Sequence, residues 1–396
     1  MKPNCKSTMY ACFIGYIVQA IVNNFAPLLF VTFQTSYGIP LSQITLLISI
    51  NFLLQLVIDS FSAWFIKRIG YRMATIVAHA FSAAGLVLMT VLPEALPHPF
   101  AGLLIAVLFY AVGGGLIEVI ISPMIEACPT DNKEQTMSLL HSFYCWGHVG
   151  VVLISTLFFW LFGIRNWKIL SLLWAIVPVV NLLVFTKVPI YTLEGDDESG
   201  LSVRELFSRK IFWILMLMMV CSGASEQAVS QWASTFAEEG LGVSKALGDL
   251  AGPMAFALMM GISRLIYGRY GDRMNLTRFI QFSCVLCMAS YLCISLVPVP
   301  VIGLIGCAVC GFAVGILWPG TYSTAAASIK GGGTAMFAML ALGGDLGCTS
   351  GPTIAGLVSS AFGNNLHAGI LAAIVFPALM LLGTVLLTRQ LRVRSK

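Results

Sequence analysis

Residues 279–329 read FIQFSCVLCMASYLCISLVPVPVIGLIGCAVCGFAVGILWPGTYSTAAASI, and none of them is charged. A membrane-crossing helix needs about 20 apolar residues, so this run is too long for one crossing. Val297-Pro298-Val299-Pro300 supplies a turn near its middle, because proline breaks a helix and pushes the residue before it into extended backbone. The stretch reads as two membrane helices joined by a short turn.

The rest of the chain has the same character. Of 396 residues, 58% are hydrophobic and 10% are charged, and the mean hydropathy is +0.90. A soluble domain carries about 25% charged residues, so a soluble globular fold is excluded. Disorder is excluded too, since it requires low hydrophobicity and high charge. A membrane β-barrel shows short alternating segments, whereas these runs are long and continuous. The fold class expected is an all-α membrane protein.

Twelve spans can be read, at 9–33, 42–65, 73–92, 100–122, 137–162, 167–186, 211–236, 247–267, 278–297, 301–322, 334–359 and 366–387. The first follows Lys2 and Lys6 and is too long for a signal-peptide core, so it is read as a retained span. Of the 22 lysines and arginines, all but four fall on one side of this threading. Arg165, Lys168 and Lys245 fall on the other, and Arg264 lies inside a span. Positive charge collects on the inner side, which puts both termini in the cytoplasm of a multi-pass inner (plasma) membrane protein. The polar segment 187–210 is expected to be a cytoplasmic linker between six-helix halves at 1–186 and 211–396. The eleven cysteines lie in apolar runs or near the inner side, so free thiols are expected. No His/Cys metal-ligand spacing, phosphate loop or nucleophile–His–acid set is read, so no metal, no organic cofactor and no enzyme activity is expected. The basic residues mark orientation, not a nucleic-acid surface.

The two halves repeat. Ala63-Trp-Phe-Ile-Lys67-Arg68-Ile-Gly70-Tyr-Arg72 superposes on Gly268-Arg-Tyr-Gly-Asp272-Arg273-Met-Asn275-Leu-Thr-Arg278 at an offset of 205 residues. At that offset Asp59 falls on Arg264. Asn23-Asn24-Phe25-Ala26 pairs with Ser230-Gln231-Trp232-Ala233, and Gly147-His148-Val149-Gly150 with Gly344-Asp345-Leu346-Gly347. Parallel six-helix repeats belong to transporter architectures, whose binding sites lie near the bilayer midplane between the halves.

Twelve spans, this repeat and the loop pattern Gly-xxx-Asp-Arg-x-Gly resemble the major facilitator superfamily. Gly268, Asp272 and Arg273 fit the loop, with Asn275 where glycine is usual. In the first copy Ala63 and Lys67 replace the glycine and the acid. The resemblance implies that Arg68, Asp272 and Arg273 help hold a gate. Gly113-Gly114-Gly115-Leu-Ile-Glu118-Val-Ile-Ile-Ser-Pro123, followed by Leu139-Leu140-His141-Ser-Phe143-Tyr-Cys-Trp-Gly147, is similar to the fucose–proton symporter branch. That branch also contains glucose and galactose carriers. Ser122 stands where that branch has asparagine. The resemblance implies that Glu118 couples protons and that the solute is a sugar.

Ionisable groups inside a membrane are costly and are functional candidates by default. Glu118 is the strongest; a substrate hydrogen bond or a structural ion pair are its other readings. His141 and His148 lie two turns apart and offer a Glu–His relay or simple cross-helix hydrogen bonds. Gln19, Asn23 and Asn24 in span 1 and Glu226, Gln227, Ser230 and Gln231 in span 7 form polar stripes. Amides and carboxylates can serve hydroxyl-rich ligands, or each other. Trp232 offers a ring to stack on a pyranose, or packing near the interface. Asp345, flanked by glycines, is either a ligand group or structural. Asp59 and Arg264 are gate or structural ion-pair candidates, and Asp249 is expected to be wet. These readings give a monomeric secondary transporter moving a proton with a small polar solute, a monosaccharide favoured, by rocker-switch alternating access. The rival readings are a proton-driven exporter of amphipathic compounds and a non-transporting nutrient sensor.

Overall fold

The computed structural model describes residues 5–129, 133–191, 201–270, 274–330 and 332–394. The described residues are helical apart from turns, with no strand among them. The chain divides into two compact units, Met1–Asp196 and Asp197–Lys396.

In the first unit α1 (Cys5–Asn24) passes through a 3-10 turn at Ala26–Leu29 into α2 (Phe30–Tyr37). Pro27 sits at the start of that turn, where its missing N–H costs nothing. α3 (Leu41–Ala95) contains two crossings, Leu41–Phe61 and Arg68–Ala95. They meet at Gly70, whose φ of 77° is one that side chains disfavour. α4 (Pro99–Ala127), α5 (Lys133–Phe162) and α6 (Trp167–Phe185) complete the unit. Its core gathers Cys12, Tyr16, Ile117, Ile121, Leu140 and Phe185 around α1 and α4. At the end of α6, Arg72 donates to the carbonyls of Phe185 at 2.7 Å and Val188 at 2.9 Å. The two prongs of one guanidinium thus serve two chain-end acceptors. Asn181 links α6 to His79 at 2.8 Å and to the Ala11 carbonyl at 3.0 Å, all in the core.

The second unit begins with α7 (Val203–Phe207), a short helix inside the segment read as a linker. Ser202 and Glu205 form a reciprocal capping box, and the Ser202 hydroxyl and backbone N–H hold the Glu205 carboxyl below the usual carboxylate range. α8 (Lys210–Ser230), α9 (Ala233–Thr235) and a π turn at Phe236–Gly240 make one continuous crossing. α10 (Lys245–Asp249), a second π turn at Leu250–Met254 and α11 (Ala255–Tyr270) make the next. α12 (Leu276–Leu296) and α13 (Pro300–Val314) flank the Val297–Pro300 turn, and α14 (Leu317–Ser328) continues the line of α13. α15 (Gly333–Ala361), α16 (Leu366–Ala372) and α17 (Val375–Arg394) close the unit.

Glycines on α15 seat it against α8. A Cβ on Gly347 would lie 2.0 Å from the Val220 carbonyl, and one on Gly351 would lie 2.3 Å from that of Ala224. Small residues four apart let two backbones meet, as is common between membrane helices. Trp232 closes the same seam. Its side chain is 0% exposed, and its indole N–H donates to the Pro352 carbonyl at 3.0 Å. Of the two readings of Trp232, stacking on a sugar or packing, this structure has the ring packed, with no face open. The expectation that Asp249 is wet is corrected. It is 1% exposed, accepts from Ser234 at 2.5 Å and pairs with Lys245 at 3.1 Å.

Among the described residues, 11 helices are long and apolar enough to cross a membrane. Eleven of the twelve expected spans correspond to them. The span expected at 334–359 is α15, a helix of 29 residues that is not one of the 11. Its length suffices, but glycines, threonines, serines and Asp345 dilute its apolar surface.

Gly347→Ala should lower the melting temperature in detergent by forcing α15 off α8, a loss of about 1–3 kcal/mol. Gly150→Ala is the control, since nothing lies within 4 Å of its added methyl, and it should leave the melting temperature unchanged. Trp232→Phe removes the indole hydrogen bond to the Pro352 carbonyl and should cost about 0.5–1.5 kcal/mol, read by the same thermal melt.

Candidate functional site

The first unit builds a polar patch from α1, α3 and α4. Gly114 and Gly115 on α4 let the first crossing of α3 come close. A Cβ on Gly115 would stand 3.1 Å from the Gln55 Cα and 3.2 Å from the Ile58 Cβ. One turn further along each helix come Glu118 and Asp59. Their carboxylate oxygens lie within 4.8 Å of each other. Gln19 on α1 donates to Glu118 Oε2 at 2.6 Å. The structure thus joins Gln19, read as a sugar ligand, to Glu118, read as the coupling group, and adds Asp59, read as a gate.

Beside this group, Gln55 donates to Asn23 Oδ1 at 2.9 Å and to Asn51 Oδ1 at 3.1 Å. Asn24 donates to the Ala20 carbonyl at 2.9 Å and to the Tyr144 hydroxyl at 3.3 Å. Tyr16 and Ser122 share a hydrogen bond of 2.9 Å. The His141 ring stands edge-on to Tyr16 with centroids 5.3 Å apart. His141 is exposed while His148, two turns along α5, is buried. Tyr16, Asn51, Gln55 and Tyr144 are members of this patch that the sequence reading passed over. Asn51 and Gln55 are spaced i, i+4 on one helix face, a signal that was available.

The second unit carries the other stripe. Glu226 pairs with Arg264 at 3.5 Å, and Arg264 also donates to the Gly315 carbonyl at 3.3 Å. Gln227 donates to Glu226 at 3.3 Å and accepts from Gln231 at 3.0 Å. Glu226, Gln227, Ser230 and Gln231 are all buried. Arg264, read as a gate residue, is therefore tied to a residue read as a solute ligand. Asp345 lies on α15 with 9% exposure, and its carbonyl accepts from Thr349 at 2.9 Å. Neighbouring Gly344 packs on the Trp318 ring. Arg68 is exposed on α3. Asp272 and Arg273, the remaining gate candidates, lie outside the described residues. Cys287 and Cys310, a buried thiol pair between α12 and α13, have sulfurs 4.0 Å apart. Their Cys-x-x-Cys spacings, 284–287 and 307–310, were not matched to each other in the sequence.

Carboxylates, amides and hydroxyls of this kind can bind a proton and hydroxyl-bearing ligands. The same architecture recurs in solved structures. A bacterial homolog to the human lysosomal transporter Spinster, in an inward-facing and unoccupied conformation, matches with a TM-score of 0.78 and 16% identity, over 98% of each chain. The E. coli fucose:proton symporter matches with a TM-score of 0.65 and 16% identity, over 96% of this chain and 98% of that one. The same symporter in an outward conformation matches with a TM-score of 0.64. No curated protein sequence matches this one. The family model of the Major Facilitator Superfamily matches residues 12–352. A match over most of the chain, on an all-helical fold shared with solved transporters of that superfamily, makes this multi-pass membrane protein a member of the major facilitator superfamily.

Proposed function

We propose that the protein is a proton-coupled symporter of a small polar solute, a monosaccharide favoured, and that the proton is carried by Glu118 with Asp59 beside it. The observation that carries this reading is the approach of the two carboxylates to within 4.8 Å, with Gln19 donating to Glu118. Two half-buried carboxylates at such a distance do not both stay charged at little cost. One shared proton relieves the repulsion, and the Gln19 amide keeps Glu118 oriented in either state. Uptake and release of that proton change the local charge by one unit, which is what a coupling site must do.

The stripe on α8 fits the solute. Arg264 neutralises Glu226, so Gln227, Ser230 and Gln231 meet a ligand as hydrogen-bonding groups without net charge. The fold shared with a solved fucose:proton symporter supports a sugar, as do the span-4 and span-5 motifs. In this reading α15 is the twelfth crossing, and two six-helix halves alternate access by a rocker switch. Both termini are cytoplasmic, the membrane is the inner (plasma) membrane, and the protein works as a monomer. The driving force suffices. One charge crossing 100 mV gains about 2.3 kcal/mol, and a tenfold proton gradient adds about 1.4 kcal/mol. Together they support accumulation on the order of 500-fold.

Solid-supported-membrane recordings on reconstituted protein test this with a panel of monosaccharides, sugar acids and amphipathic cations. A current for a sugar, at least tenfold smaller in Glu118→Gln while binding of that sugar persists, is the expected result. Asp59→Asn should keep the sugar current but move its pH profile. Silence to sugars with currents for cations would discard the sugar, and an unchanged Glu118→Gln current would take the proton away from Glu118.

A further inference from the structure

His367 faces two acceptors with its two ring nitrogens. Nδ1 lies 3.1 Å from the Ile294 carbonyl, and Nε2 lies 3.1 Å from the Gly240 carbonyl. A carbonyl oxygen only accepts. A neutral imidazole has one N–H and one bare acceptor nitrogen, so it can satisfy one of these carbonyls and sets a lone pair against the other. An imidazolium has two N–H groups and satisfies both.

Both carbonyls need an outside donor. Ile294 is in the last turn of α12, and the residue four positions on is Pro298, which has no N–H to give. Gly240 ends the π turn of the α8 crossing, where the chain leaves the helix through Leu241 and a left-handed Gly242 at φ 65°. Both positions are helix C-termini, where carbonyl dipoles converge and favour a cation. The ring is held in place at its own end. Asn365 caps α16 by accepting from the backbone N–H of His367 at 3.0 Å and of Ala368 at 3.3 Å. Phe236 packs edge-on against the imidazole, with centroids 4.9 Å apart.

The ionisable groups on the packed elements are few. The π turn carries Glu238 and Glu239, and α10 carries Lys245 and Asp249, with Lys245 3.8 Å from Glu238 and 3.1 Å from Asp249. The last turns of α12 carry Tyr291, whose hydroxyl donates to the Ser225 carbonyl at 2.8 Å, and Cys293. α13 carries the thiols of Cys307 and Cys310, α15 carries Asp345 and Cys348, and no ionisable group occurs between Ala361 and Asn365.

We propose that His367 is a proton-binding site that ties the Gly240 end of the α8 crossing to the end of α12. With the proton bound, one ring clamps three chain segments. With it lost, one carbonyl is released and the junction loosens. Because α8 bears the Glu226–Gln231 stripe, the clamp makes the freedom of that helix depend on pH. On the topology proposed above, the clamp faces the outer solution, so an acid exterior closes it.

The test uses the full chain in lipid nanodiscs and needs no solute. Nitrogen NMR of histidine-labelled protein separates imidazolium from either neutral tautomer, with the His367 signal identified by its loss in His367→Gln. The expected result is a ring with two N–H groups at the acid end of the range studied and one at the alkaline end. Hydrogen exchange, corrected for intrinsic pH dependence, should speed up at least tenfold in 236–243 as the proton leaves. In His367→Gln it should be fast at all pH. A ring that stays neutral throughout the range would overturn the clamp, and so would exchange in 236–243 that ignores pH in the wild-type protein. The exchange measurement on wild type stands alone if the variant fails to fold.

Discussion

Hydrocarbon offers no hydrogen bonds, and every other feature of this protein follows from that. A backbone or side-chain polar group inside the bilayer must find its partner within the protein. The backbone answers by being helical apart from turns among the described residues. Side chains answer by clustering wherever helices can come close, and closeness is decided by glycine. Gly114 and Gly115 bring α3 onto α4, and one turn beyond that contact Asp59 reaches Glu118. Gly347 and Gly351 bring α15 onto α8, and at the end of that contact Trp232 finds the Pro352 carbonyl. The polar sites are thus placed by the residues that lack side chains.

The same constraint explains what could be read from the sequence. Hydropathy records which segments cross, because a crossing must be apolar along its own length. The turn at Val297–Pro300 is a local feature and was legible, whereas Gly70 was read only as part of a repeated loop and its kink comes from the structure. The span at 334–359 was read from the same count of apolar segments, although α15 is more polar than the helices that qualify by composition. Partners were not legible, since they depend on which faces meet. The repeat set Asp59 against Arg264, which is a correspondence between halves and says nothing of contact. Packing gives Asp59 a carboxylate neighbour and gives Arg264 the carboxylate of Glu226. Asp249 was read as wet from its place near a span end, yet Ser234 and Lys245 let it be buried. Trp232 was read from its neighbours in sequence, while its burial is set by a helix more than 100 residues away.

The repeat also shows how one scaffold hosts two chemistries. At equivalent places one half has an acid, Asp59, and the other a base, Arg264. Beside each stands a glutamate from a neighbouring helix, Glu118 in the first unit and Glu226 in the second. Two carboxylates side by side repel when both are charged, and one bound proton relieves that repulsion. A base beside an acid forms an ion pair whose charges offset each other. A transporter needs one element whose charge changes with the coupling ion and one whose hydrogen bonds stay constant for the solute. In the function proposed above, a single exchange of sign at one repeat position separates these roles.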